Sequence, residues 1–236
     1  MSSGVLFIKE FYDENNWREI VEEHSRNVDR EEKSFVLNSL GPLHGCTVLD
    51  AGCGYGRYLK FLKKFGFNVV GIDISKNLIK KAKLHGDVVV ADLQHLPFCD
   101  EAFDASISVY GPLNHIPDIS KGLVELKRVT RKRVIVSLFN FFSWYGIWIN
   151  LRFLIPIYLK LRPLIARLKC NLVHYYLGYL DIGAKEIWNF STTSTPKSAL
   201  KYFHSIGFRK TTWKPIVKYF QASNIFCFLI GLVADI

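Results

Sequence analysis

The chain has 236 residues, 49% of them hydrophobic and 22% charged, and it is rich in aromatics (18 Phe, 11 Tyr, 5 Trp). This excludes a largely disordered chain and the collagen-like, coiled-coil and disulfide-scaffold classes, and the length suits one α/β domain with a sizeable core better than two. The net charge of +10 is uneven: residues 1–126 carry 14 basic and 18 acidic side chains, residues 127–236 carry 17 and 3, which points to an anionic partner or to a lysine-rich solvated face.

Five cysteines with no C-x-x-C pair predict a reduced, cytoplasmic setting and no metal site. The N-terminus has no basic start followed by a long apolar stretch, so no signal peptide is read there. Two uncharged runs, Val134–Leu151 and Tyr219–Ala234, are at or below the length that crosses a bilayer. Both begin or continue as apolar strands.

In chain order, residues 11–40 have helical spacing and are stopped by Gly41-Pro42. Cys46–Leu49 is a strand ending in Asp50, followed by the turn AGCGYG and a helix over 57–65. Asn68–Ile72 is a second strand ending in Asp73. Ser75 caps a helix reaching Leu84. Asp87–Ala91 is a third strand, ending in Asp92, and Phe103–Val109 a fourth. A helix over 119–130 and a fifth strand over 133–139 follow. After an aromatic, basic stretch, Pro196–Ile206 is helical, and two strands near 208–217 and 223–233 form a hairpin. Strands alternating with helices imply a mostly parallel sheet covered on both faces. One domain is expected: N-terminal lid helices (1–44), a ligand-binding core (45–140), a helical cap insertion (141–182) and a C-terminal helix with a strand hairpin (183–236).

The informative segment is Asp50-Ala51-Gly52-Cys53-Gly54-Tyr55-Gly56 at the end of the first strand. Glycines there allow a sharp turn and close backbone approach to a ligand at the carboxyl ends of the strands. Arg57 stands where a dinucleotide fingerprint needs a small residue, and a phosphate-gripping G-x-x-x-x-G-K-[ST] is absent. A carboxylate at Asp50 repels a pyrophosphate and suits a cationic amino group. Asp73 is placed to accept both hydroxyls of a ribose, and Asp92-Leu93 to meet an adenine edge.

Taken together, D-A-G-C-G-Y-G, V-V-G-I-D-I-S, A-D-L-Q-H-L-P-F and F-D-A-S-I-S-V resemble the class I S-adenosylmethionine-dependent methyltransferases, in particular the small-molecule branch (type 11/25 domains), strongly over 45–139. The resemblance implies a Rossmann-like seven-stranded sheet with its last strand antiparallel, and S-adenosylmethionine as cofactor. It places Gly52, Gly54 and Gly56 along the methionine part with Asp50 beneath, Asp73 on the ribose, Ile74 beside the adenine, and Asp92 and Leu93 at its edge. The stretch Tyr110–His115 after the fourth strand then approaches the acceptor, with His115 the candidate base and Tyr110 the candidate lining of the methyl passage. Phe11-Tyr12-Asp13 resembles the Y-D opening of relatives whose first helices fold over the cofactor.

Within 141–180 the charges are Arg152, Lys160, Arg162, Arg167 and Lys169, with no acidic residue. On a helical wheel they occupy one half, opposite Phe, Leu, Ile, Trp and Tyr, although Pro156 and Pro163 interrupt the helix. Such a segment fits a membrane surface, a lid over an apolar acceptor, or a packed hairpin. The leading reading is methyl transfer to a small apolar acceptor (quinone-, isoprenoid- or lipid-like) by a cytoplasmic enzyme that contacts the membrane peripherally. A tRNA or other RNA methyltransferase is the alternative, and a non-catalytic cofactor-binding partner subunit a third reading.

Overall fold

The computed structural model of the chain describes residues 26–42, 45–140, 194–218 and 227–236. Its elements in order are α1 (Arg26–Leu40), β1 (Thr47–Ala51), α2 (Arg57–Lys63), β2 (Asn68–Asp73), α3 (Lys76–Ala82), β3 (Asp87–Val90) and β4 (Phe103–Ser108). A 3₁₀ turn (Pro112–Asn114), α4 (Ile119–Val129), β5 (Thr130–Phe139), α5 (Pro196–Ser205), β6 (Lys210–Lys218) and β7 (Cys227–Asp235) complete them.

The seven strands form one sheet in the order β3-β2-β1-β4-β5-β7-β6. β1 to β5 pair in parallel, and β7 runs antiparallel to both β5 and β6. The expected α/β architecture and the reversed last strand are therefore present. Strand order changes direction between β1 and β4, which opens a crevice beyond their carboxyl ends.

Local sequence explains the boundaries. Ser75 Oγ accepts from Leu78 N at 3.1 Å, and Asp118 accepts from Ser120 N and Lys121 N, so each caps its helix. Thr195 and Ser198 form a capping box ahead of α5, with Pro196 in its first turn. α3 stops at Ala82, before the Leu84 of the sequence reading, because residues 83–85 tighten into a turn. β5 begins at Thr130, directly off α4, three residues earlier than expected. Arg131 and Lys132 are exposed there and hide the strand in a charge run. The uncharged runs fall partly into β5 and β7, and no helix among the described residues is long and apolar enough to cross a membrane. Residues 11–25, including Phe11-Tyr12-Asp13, and the cap segment 141–182 lie outside the described residues.

One face of the sheet packs on α4 and α5, through Leu49, Val134, Val136, Leu123, Leu126 and Phe203. α1 crosses the other face. Its buried stripe is Glu32, Phe35, Val36 and Leu40, at helical spacing. Phe35 reaches the sheet because β7 carries no side chain at Gly231, where a Cβ would lie 2.6–2.9 Å from three ring carbons of Phe35. Gly231→Ala is expected to lower stability by about 1–3 kcal/mol, and Phe35→Leu in the same chain to restore part of it. Urea unfolding of the two variants checks both effects.

Candidate active site

The glycine turn hangs from the end of β2. Gly52 N and Cys53 N both donate to Ile72 O at 2.8 Å. Gly54 N donates to Asp73 Oδ2 and Ser75 N to Asp73 Oδ1, each at 2.9 Å. The Asp73 carboxylate thus holds the turn and the start of α3 together at the edge of the pocket. Gly52 is glycine for lack of room: a Cβ there would sit 2.4 Å from the Pro112 ring. The opposite wall comes that close.

A pocket opens above this turn at the crevice between β1 and β4. Asp50, Gly52, Gly54, Asp73, Ile74, Asp92, Leu93, Tyr110 and His115 all line it. Gly56 is the one sequence-predicted residue that does not. It is the left-handed N-cap of α2, and a Cβ would meet Ala82 Cα at 3.1 Å and the His85 ring at 3.2 Å. It lets α2 pack closely against the end of α3.

Asp50 is 2% exposed, and its Oδ2 has no hydrogen-bond partner. Burial pushes its carboxyl up to about 7; Arg57 pulls the other way, while Asp73 and Glu32 add to the rise. Asp92 lines the pocket but is also engaged in its own turn, accepting from Gln94 N at 2.9 Å, which is the structural use an Asp before Leu-Gln suggests. Leu93 is buried beside it.

The acceptor-side wall follows β4. Tyr110 and Gly111 both have positive φ, 68° and 85°, and lead into the 3₁₀ turn that ends at His115. His115 stacks edge-on to Phe139 with ring centroids 5.7 Å apart, and burial lowers its pKa to about 4. The imidazole is neutral at physiological pH. Val109, Pro112, Ile116 and Phe139 make the rest of this wall apolar.

The sequence reading missed Glu32. It is fully buried, and its carboxylate joins Arg57, Tyr58, Ser137 and the backbone of Tyr110. The available signal was a carboxylate on the apolar stripe of α1. Arg57, noted in sequence only as the residue that spoils a dinucleotide fingerprint, also lines the pocket and lies over the rings of Tyr58 and Tyr110, 4.7 and 5.0 Å from their centroids. Burial pushes the Cys53 thiol well up, which leaves that residue an inert packing group under the turn.

Fold and pocket together define the class I, Rossmann-like methyltransferase architecture. The model of a family described as "Methyltransferase domain" matches residues 49–138. An uncharacterized protein of Methanocaldococcus jannaschii is 31% identical over 132 residues, which cover 53% of this chain and 57% of that one. The 2-methyl-6-phytyl-1,4-hydroquinone methyltransferase of Synechocystis is 41% identical over 103 residues, 40% of this chain and 31% of its own. The chain spans about half the length, or less, of the curated relatives it matches. The crystal structure of magnesium protoporphyrin IX methyltransferase from Synechocystis with bound SAH shares the fold, with a TM-score of 0.65 at 17% identity, covering 99% of each chain. Residues 49–138 thus match a methyltransferase-domain family, and the fold around them is the Rossmann-like one of S-adenosylmethionine-dependent methyltransferases.

The raised Asp50 pKa sets a stability trend. The folded state favours the protonated acid, so its contribution is complete below about pH 4 and is lost as pH rises towards 7. Asp50→Asn is therefore expected to stabilise the protein at pH 8 by roughly 1–3 kcal/mol, and to have little effect at pH 4. Unfolding curves of both proteins at the two pH values check the sign.

Proposed function

We propose that the chain transfers a methyl group from S-adenosylmethionine to a small apolar acceptor of quinone-, isoprenoid- or lipid-like type. The observation that carries the acceptor class is the wall after β4: Val109, Tyr110, Pro112, Ile116 and Phe139, with a neutral His115 among them. An apolar ring or chain can lie against such a wall without stranding a buried charge. Names among the relatives agree with this class, including the hydroquinone methyltransferase above and a 2-phytyl-1,4-naphtoquinone methyltransferase of Trichormus variabilis.

The residues present fit the cofactor. Asp50 Oδ2, buried and without a partner, suits the α-ammonium group. Asp73, at the pocket wall beyond β2, is the acceptor for the ribose hydroxyls, and Ile74 and Leu93 supply apolar contact for the adenine. When bound, S-adenosylmethionine supplies an activated sulfonium methyl. The chain's own part is to orient the acceptor and exclude water. His115, neutral and buried, presents one N–H donor and one acceptor nitrogen. It orients an acceptor hydroxyl by hydrogen bonding and is too weakly basic to store its proton. Tyr110 lines the passage between cofactor and acceptor.

Asn140 and Ser194, the described residues that flank 141–193, pair as a parallel bridge beside this wall, and Ser194 N donates to Phe139 O at 2.9 Å. The basic, aromatic and acid-free composition of residues 141–180 supports a role in collecting an apolar acceptor from an anionic lipid surface.

Two outcomes follow. Asp73→Ala is expected to weaken S-adenosylmethionine binding by roughly 100-fold or more, the loss of two hydrogen bonds to a charged group, while far-UV circular dichroism keeps the sheet signal. Calorimetric titration measures it, and unchanged affinity removes the ribose assignment. The wild-type protein, given methyl-labelled S-adenosylmethionine and a whole-cell extract of the source organism, is expected to place label in the organic phase. Label in RNA instead overturns the acceptor class and gives the basic C-terminal half a nucleic-acid role.

A further inference from the structure

The two sides of the pocket are tied together by one carboxylate from outside it. Glu32 has no exposed surface. Its Oε2 accepts from Arg57 Nη2 at 2.9 Å and Tyr58 OH at 3.3 Å, both on α2 behind the glycine turn. Its Oε1 accepts from Ser137 Oγ at 2.5 Å and from Tyr110 N at 2.9 Å, on β5 and the loop after β4. Ser137 Oγ in turn accepts from Tyr110 N at 2.7 Å, so that amide is shared.

Tyr110 needs this support. It holds φ at 68°, a left-handed conformation that a non-glycine residue adopts at a cost of roughly 1–3 kcal/mol. The same conformation turns its ring over the Arg57 guanidinium, 5.0 Å from centroid to Cζ. Arg57 is itself held by Asp29 and Glu32 of α1. Its amide is held by two acceptors, Glu32 Oε1 and Ser137 Oγ, and Glu32 also fixes the Ser137 hydroxyl.

We infer that Glu32 is a positioning residue for the transfer step. It locks Tyr110 and the following turn to His115 against α2, so that the acceptor-side wall is already formed when cofactor occupies the other side. It acts through Tyr110 and Arg57 and does not itself line the pocket. The inference rests on the methyltransferase reading above.

Glu32→Gln keeps the shape but turns one accepting oxygen into a donor, which then faces either Arg57 Nη2 or Tyr110 N, groups that can only donate. Three measurements are made on it and on the wild type: S-adenosylhomocysteine affinity by calorimetry, label transfer into the extract as S-adenosylmethionine is varied, and amide hydrogen exchange without ligand. The expected result is affinity within about threefold, a maximal transfer rate lower by roughly 10- to 100-fold at unchanged apparent KM, and lost protection at amides 110–115 with β1 and β2 protected as before. Should Glu32→Gln fail to fold, Ser137→Ala removes one link of the Oε1 side and is expected to show the same pattern more weakly. Unchanged exchange at 110–115, or protection lost throughout with rate and affinity falling together, overturns the inference. If the wild type neither binds S-adenosylhomocysteine nor transfers label, the methyltransferase reading fails, and the exchange comparison still decides whether Glu32 holds the loop.

Discussion

A buried guanidinium among a surplus of carboxylates is the constraint around which this site is organised. Arg57 has 14% of its side chain exposed, and it bonds Asp29 and Glu32. Burial works against its charge, yet Tyr58, Glu32 and Asp29 hold its pKa above the ordinary arginine value. Removing any partner would strand a charge away from water, which is far more costly than the intact cluster. The same cluster fastens α1 to the sheet and α2 to the loop after β4, so the position of three elements hangs on it.

The cluster also leaves the pocket electrostatically unfinished. Asp73 and Glu32 both act on Asp50, and one arginine does not offset them together with its burial. Burial first, and these like charges with it, favour a proton on Asp50. A dication-like ligand, with an ammonium and a sulfonium, meets that deficit better than a neutral one of the same shape. The opposite wall shows the reverse logic: His115 loses its charge to burial and leaves an apolar surface. Cationic and apolar preferences are thus separated by the width of one cleft.

The sequence made the core of this arrangement legible because its determinants are local. The apolar strand, the glycine turn and the Asp at the end of β2 are contiguous or nearly so, and each has a backbone reason for its residue type. Asp50 proved to lie inside β1, with Ala51 as the last strand residue, a shift that leaves its position under the turn unaltered. Glu32, Ser137 and Phe139 were not legible, because their meaning depends on contacts up to 105 residues away in sequence. Gly56 shows a different limit: its left-handed cap and its close approach to the end of α3 are tertiary facts that the motif does not spell out. The 3₁₀ turn escaped for a similar reason, since its closeness to Gly52 is a tertiary fact.

The pairing of Asn140 with Ser194 sets the two residues that flank 141–193 side by side at the end of the sheet. β5 is completed before the first of them, and α5 begins straight after the second. With both ends already held side by side, the entropic cost of closing the excursion grows only slowly with its length, about 0.6 kcal/mol for each doubling. A change in the length of the sequence between them is therefore cheap for the sheet, and it leaves the contacts around the glycine turn as they are.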